Sequence, residues 1–179
     1  FGRVHINDSD TANIYSDYLK YIIDKRFAYL KNNVKLTDGK GTLTTNEMEY
    51  DISAKLATYK NGGKVLSKKS ILTSTEAFYF TDLKDVYFKK NVELKDPAYY
   101  LKSDTLLYNT ETEIVRFVTD TYIRDSSGRI IRTKEGFYNL NTGEAEFGQN
   151  PVIIDGSTIA TATTVFIKDS TGQIILKDN

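Results

Sequence analysis

Apolar and polar positions along this chain repeat with a period near 29 residues. An aromatic recurs at Tyr21, Tyr50, Tyr79, Tyr108, Tyr138 and Phe166, at intervals of 29, 29, 29, 30 and 28 residues. Counting each aromatic as position zero, a hydroxyl stands at −5 (Ser16, Thr45, Ser74, Ser103, Thr133, Thr161). A branched aliphatic stands at −7 (Ile14, Leu43, Leu72, Leu101, Ile131, Ile159). Position +7 is Ala28, Ala57, Val86, Val115 or Ala145, and position +9 is Leu30, Tyr59, Phe88, Phe117 or Phe147. Positions +13 and +15 hold Val34 and Leu36, Val92 and Leu94, and Thr121 and Ile123; the fifth unit slips by one to Val152 and Ile154. The second unit is the weakest there, with Gly63 and Val65. Within each run the apolar positions alternate, so each repeat is two strands and not a helix pair. A repeat of this length is one supersecondary unit, and stacked units bury a continuous core.

Turns centred at Asp24-Lys25, Ser53-Ala54, Asp82-Leu83, Glu111-Thr112 and Asn141-Thr142 make hairpins in which paired offsets sum to seven. Tyr79 then faces Val86, Ala77 faces Phe88, Tyr108 faces Val115 and Leu106 faces Phe117, as cross-strand apolar pairs. The parity of the apolar positions slips once in the first strand, near the hydroxyl at −5. A one-residue bulge there would change the pairing sum to six, setting Leu72 opposite Val92 and Ile14 opposite Val34. The second strand breaks at the same height, at Asn32-Asn33, Asn61-Gly62-Gly63, Lys90-Asn91, Thr119-Asp120 and Gln149-Asn150. Two readings give the same cross-section: long strands that bend in the middle, or short strands joined by a polar turn at each corner. Either way one half of each strand lies in one sheet, the other half in a facing sheet, and apolar residues line the space between. At the ends, Val4-His5-Ile6 matches a +13 to +15 strand whose unit is incomplete, and the last unit reaches Ile174-Ile175-Leu176. About 12 strands at ~4.8 Å spacing stack to roughly 55–60 Å, with terminal strands open for pairing.

Composition supports an all-β chain and excludes several chemistries. There are 13 Tyr and 9 Phe but 2 Pro and no Trp, a strand-forming mixture. Lys+Arg and Asp+Glu both number 24, with no long basic run, which argues against nucleic acid. Cysteine is absent, so disulfides and thiolate metal sites are excluded. No apolar stretch approaches the roughly 20 residues of a membrane-spanning helix. The sole histidine, His5, offers no triad or imidazole metal site and reads as a surface or edge residue. Asn7-Asp8-Ser9-Asp10 resembles the start of a calcium loop but lacks its glycine and distal glutamate, so it reads as a solvated turn. Asp82 with Asp85, or Glu111 with Glu113, can be posed as glycosidase carboxylates, yet they fall on hairpin turns where acidic residues are common. Gly62-Gly63 and Ser126-Ser127-Gly128 are loop glycines without a phosphate-binding context. Catalytic residues, cofactors and metal ligands are therefore expected to be none. The chain opens at Phe1 without Met or a signal sequence, and residues 1–179 read as a single repeat domain, an excerpt of a longer precursor.

The unit Leu72-Thr73-Ser74-Thr75-Glu76-Ala77-Phe78-Tyr79 followed by Val86-Tyr87-Phe88-Lys89-Lys90-Asn91-Val92-Glu93-Leu94 resembles the OstA-like family. So does Leu101-Lys102-Ser103-Asp104-Thr105-Leu106-Leu107-Tyr108-Asn109, and the resemblance runs from about residue 12 to 176. Ser16-Asp17 and Ser103-Asp104 keep the family's serine-aspartate pair, while Asn32 and Lys90 stand where it usually has glycine. The family comprises the LptA-type periplasmic proteins, LptC and the amino-terminal domain of LptD. The resemblance implies an open, taco-like β-jellyroll of stacked, bent antiparallel strands. It also implies a non-enzymatic periplasmic bridge that carries lipopolysaccharide or a related glycolipid to the outer membrane. Other Lpt-type jellyroll proteins would join through strand edges, and the same edges allow a head-to-tail homo-oligomer. Leu72, Tyr79, Phe88, Val92, Leu101, Leu106, Tyr108, Phe117, Ile131 and Phe147 are then the candidates for a lipid-lining face, against the simpler reading of them as core. Lys84, Lys89, Lys90 and Lys102 are candidates to meet lipid phosphates at a rim, against the simpler reading of solvated lysine. The alternative function is a structural or adhesive β-solenoid that binds protein without lipid.

Overall fold

The computed structural model describes residues 4–8 and 12–178. Its strands are β1 (Val4–Asp8), β2 (Ala12–Ser16), β3 (Tyr18–Ile22), β4 (Phe27–Thr37), β5 (Thr42–Asp51), β6 (Leu56–Tyr59), β7 (Gly63–Ser67), β8 (Ser70–Ser74), β9 (Glu76–Phe80) and β10 (Asp85–Lys95). They continue with β11 (Tyr99–Asn109), β12 (Ile114–Phe117), β13 (Thr121–Asp125), β14 (Ile130–Thr133), β15 (Glu135–Asn139), β16 (Glu144–Gly148), β17 (Val152–Asp155), β18 (Thr158–Thr161), β19 (Thr164–Lys168) and β20 (Gln173–Lys177). All of them belong to one sheet of 20 strands in which every pairing is antiparallel.

The sheet folds along a spine into two walls. The first wall runs β3, β4, β5, β6, β9, β10, β11, β12, β15, β16, β19 and β20. The second runs β1, β2, β4, β5, β7, β8, β10, β11, β13, β14, β17 and β18. Four long strands, β4, β5, β10 and β11, pass through the spine into both walls, whereas the other layers break into two short strands. Both sequence readings of the corner therefore occur.

The first-wall hairpins follow the offset arithmetic: Tyr79 pairs with Val86 and Ala77 with Phe88, Tyr108 with Val115 and Leu106 with Phe117. Their four-residue loops share one device, a last residue with left-handed backbone: Arg26, Lys55, Lys84, Glu113, Gly143 and Gly172. At the corner the expected bulge lies on the other strand. Leu72 pairs with Leu94 rather than Val92, and Ile14 with Leu36 rather than Val34. The extra residue is in the second strand, where pairs of consecutive left-handed residues turn the chain: Asn32-Asn33, Lys90-Asn91 and Gln149-Asn150. Asparagine tolerates this conformation better than most residues, and the break costs the strand its ladder hydrogen bonds only locally.

The −5 hydroxyl holds the corner from inside. It donates to the carbonyl oxygen two residues on in five units: Ser16 to Tyr18 (2.9 Å), Thr45 to Glu47 (3.3 Å), Ser74 to Glu76 (2.8 Å), Ser103 to Thr105 (3.1 Å) and Thr133 to Glu135 (2.8 Å). In the second unit, Gly63 at +13 leaves room for a large neighbour. A Cβ there would fall inside the Tyr59 ring, whose hydroxyl meets Ser74 Oγ at 2.6 Å.

Two register expectations are corrected. In the fifth unit Pro151 and Ile153 face inward, with Ile153 opposite Ile131, so there is no slip to Val152 and Ile154. In the sixth unit the inward ladder residue is Ile167, opposite Ala145 and Ile174, while Phe166 lies on the outer face opposite Glu146. The inward residues upstream are accordingly Ala162 and Ala160, and Ile159 is left 70% exposed.

Candidate functional site

The space between the walls narrows toward the spine and opens at the rims. Near the spine it is packed solid by the −5, −2 and +13 residues, including Val34, Val92, Leu106 and Met48. Toward the rims two cavities open in the half of the stack built from β7 to β19. One, of about 410 Å³, is lined by Val65, Leu72, Phe88, Leu94, Tyr99, Tyr108, Val115, Tyr138 and Leu140. The other, of about 390 Å³, is lined by Leu94, Leu101, Val115, Phe117, Ile123, Ile131, Ala145, Phe147 and Ile167. Both draw residues from each wall, because the inward positions of the two walls face one another.

All ten sequence-derived candidates point into the interior. Leu72, Phe88 and Tyr108 line the first cavity, and Leu101, Phe117, Ile131 and Phe147 the second. Tyr79, Val92 and Leu106 line neither; Val92 and Leu106 belong to the packed part near the spine, and Tyr79 is buried beside Asp38. The pattern missed Ala98, in the second-wall turn after β10, and Tyr99, at the head of β11, which occupy no recurring offset of the repeat. Leu94 and Ile123 carry a signal, their +15 position, although they are not among the ten candidates.

The two rims are tied together by side chains. Tyr79 donates to Asp38 Oδ2 across the groove (2.8 Å), and Lys68 pairs with Glu113 (2.8 Å). Burial pushes the Asp38 carboxyl up, but the backbone N–H groups of Gly41 and Lys40 and the Tyr79 hydroxyl outweigh it and hold it below the ordinary value. Around the second cavity, Asp125 pairs with Arg129 at 2.7 Å and Asp169 accepts from Tyr138 at 2.6 Å. Burial pushes the groove phenols up, Tyr108 to about 12 with the Glu113 charge contributing, and Tyr99 further. These phenols stay protonated and can only hydrogen-bond.

The lysines considered for a headgroup rim lie elsewhere. Lys89 sits over the Phe78 ring, Lys90 pairs with Glu76 and Lys102 with Glu93, all on the outer surface near the spine. Lys84 is in a first-wall turn. The cations that border the cavities are Lys68, Lys69 and Arg129. Of the posed carboxylate pairs, Asp85 accepts from Asn109 (2.8 Å) and Glu113 is taken by Lys68. His5 stacks on Tyr15 and meets Asn13 Oδ1 at 2.9 Å on the outer face of β1. The calcium-loop reading of Asn7-Asp8-Ser9-Asp10 falls largely outside the described residues. The arrangement offers two mainly apolar cavities bordered by the Lys68–Glu113 and Asp125–Arg129 pairs.

The family model for OstA-like proteins matches residues 1–104, more than half of the chain. The chain belongs to the OstA-like family. Among solved structures it is similar to LptH of Pseudomonas aeruginosa, described as the LptA homologous periplasmic component of the conserved lipopolysaccharide transport device. That likeness has a TM-score of 0.52 at 16% identity and covers 58% of this chain and 79% of LptH. At that identity it establishes the fold, so this OstA-like chain shares the open jellyroll. No curated protein sequence matches it.

Proposed function

We propose that this OstA-like chain is a non-enzymatic segment of a lipopolysaccharide-transport bridge, working in the periplasm, with residues 1–179 acting as one jellyroll piece of a longer protein. Acyl chains of lipopolysaccharide or a related glycolipid would lie between the walls. The observation that carries this reading is the pair of apolar cavities between facing walls. A solenoid that served only as structure or adhesin would gain by filling them, since close-packed interiors leave few voids larger than a water. Family membership and the shared fold with LptH support the same reading.

Partners would join by strand addition at the open ends, where β1 and β3 close one end and β18 and β20 the other. Large apolar side chains are exposed there: Tyr18, Tyr21 and Ile23 at one end, Ile159, Ile175 and Leu176 at the other. Other Lpt-type jellyrolls fit this geometry, and so does a second copy of the chain, head to tail.

A photoreactive amino acid at Tyr108 or Ala98, both on the first cavity, should crosslink to lipopolysaccharide in cells. The same residue at Arg116, which is exposed on the outer face, should not. Absence of an adduct from every lining position would overturn the lipid reading in favour of a protein-only interaction module.

A further inference from the structure

The two cavities share a wall made by Leu94, Ala98, Tyr99, Val115 and Tyr138. Its core is an aromatic pair that meets from opposite sides of the groove. Tyr99 comes from the second wall at the head of β11, Tyr138 from the first wall in β15, and their ring centroids are 5.2 Å apart at 59°. The two rings are held differently. Tyr138 is tied by its hydroxyl to Asp169 at 2.6 Å. The Tyr99 hydroxyl is buried and has no hydrogen-bond partner in the protein. A buried donor without an acceptor costs free energy that is recovered once the ring swings to a wetter place. The closed position of Tyr99 is thus the less secure of the two.

We propose that Tyr99 is a displaceable partition between two hydrocarbon subsites. Closed against Tyr138, it divides the groove so that each cavity accepts one short alkyl chain. Swung aside, it joins the cavities into one trough that accepts a long chain. Tyr138, anchored by Asp169, is the fixed post. This assignment rests on the lipid reading for its natural occupant, but the motion belongs to the unliganded chain and can be tested without lipid.

Fluorine NMR of lipid-free protein carrying 3-fluorotyrosine at position 99 should show exchange between two environments. The same label at position 138 should give one non-exchanging signal. A single non-exchanging signal at 99 overturns the proposal. Binding of dodecylphosphocholine and octadecylphosphocholine supplies the second arm. Tyr99→Ala removes the partition and should shift preference toward the octadecyl chain by about tenfold or more, since each further buried methylene is worth about 0.8 kcal/mol. Tyr99→Phe keeps the ring and removes the unpartnered hydroxyl, so it should stabilise the closed state and shift preference the other way. Equal preference in all three proteins also overturns the partition. If neither amphiphile binds any of them, the lipid reading fails and the fluorine result alone decides the partition.

Discussion

Tyr79, a rung of the aromatic ladder in the first wall, hydrogen-bonds Asp38 in a turn of the second wall, 41 residues away in sequence. The bond joins the two walls across the groove, and the Asp38 carboxylate also accepts the N–H groups of Lys40 and Gly41 at 3.0 Å each. With its folded-state value below the ordinary 3.8, Asp38 contributes stability that is present above that value and is lost as pH falls through the lower one. Tyr79→Phe and Asp38→Asn should each lower stability near neutral pH by about 1 kcal/mol, the half-exposed carboxylate discounting the usual charged hydrogen bond. The deficit should begin to shrink below about pH 4, where the unfolded-state carboxyl protonates, and go on shrinking as pH falls through the lower folded-state value. Thermal melts across pH 3 to 7 test this; a deficit that does not change with pH would show that the cross-groove bond is not the source.

The Ser74 hydroxyl serves two neighbours, the Glu76 carbonyl and the Tyr59 hydroxyl. Ser74→Ala should therefore cost more than Ser16→Ala, which among the described residues loses the bond to Tyr18. About 1 kcal/mol is expected at Ser16 and about 1–3 kcal/mol at Ser74, because the Tyr59 hydroxyl is left buried without its partner. Combining Ser74→Ala with Tyr59→Phe in a double-mutant cycle should recover part of the loss. Strict additivity would mean that the Tyr59 contact contributes nothing.

The sixth unit separates what the sequence pattern could show from what it could not. Hydrophobic spacing located the first five first-wall hairpin turns and their cross-strand pairs, because two short apolar runs around a fixed turn leave one sensible register. It could not choose between adjacent Phe166 and Ile167, which are equally apolar. The backbone supplies the missing ruler: the left-handed residue closing each turn recurs at Arg26, Lys55, Lys84, Glu113, Gly143 and Gly172. Gly143 and Gly172, 29 apart, mark Ile167 as the equivalent of Tyr138. The polar break at Lys90-Asn91 marks the corner in the sequence, but hydropathy does not show which of two facing strands carries the extra residue; it lies with the consecutive left-handed residues. The cavities were legible only as a face, because Tyr99, at the head of β11, occupies no recurring offset of the repeat. The registers differ in an observable way. Ile167→Ala should cost about 2–4 kcal/mol as a core truncation. Phe166→Ala, on the outer face under Lys177, should cost less despite its larger side chain. A reversed order in denaturant melts would restore Phe166 to the ladder.

Lys84 closes the third first-wall turn at φ 59°, where Gly143 and Gly172 close the fifth and sixth at 68° and 65°. An L-residue in this conformation is strained by roughly 1–2 kcal/mol, while glycine is not but loses more chain entropy on folding, roughly 0.5–1 kcal/mol. The strain is the larger of the two, so Lys84→Gly should stabilise the protein by up to about 1 kcal/mol, raising the midpoint by about 2–4 °C at this chain length. The Lys84 backbone carbonyl accepts from Thr110 N–H, a bond that the substitution leaves in place. Gly172 provides the reciprocal test, because no atom lies within 4 Å of where its Cβ would stand. Gly172→Lys should therefore lose about as much as Lys84→Gly gains, through backbone strain alone. Opposite shifts of similar size in the two variants would assign the effect to the turn conformation. A loss at Lys84→Gly would mean that the lysine side chain contributes more than its strained backbone costs.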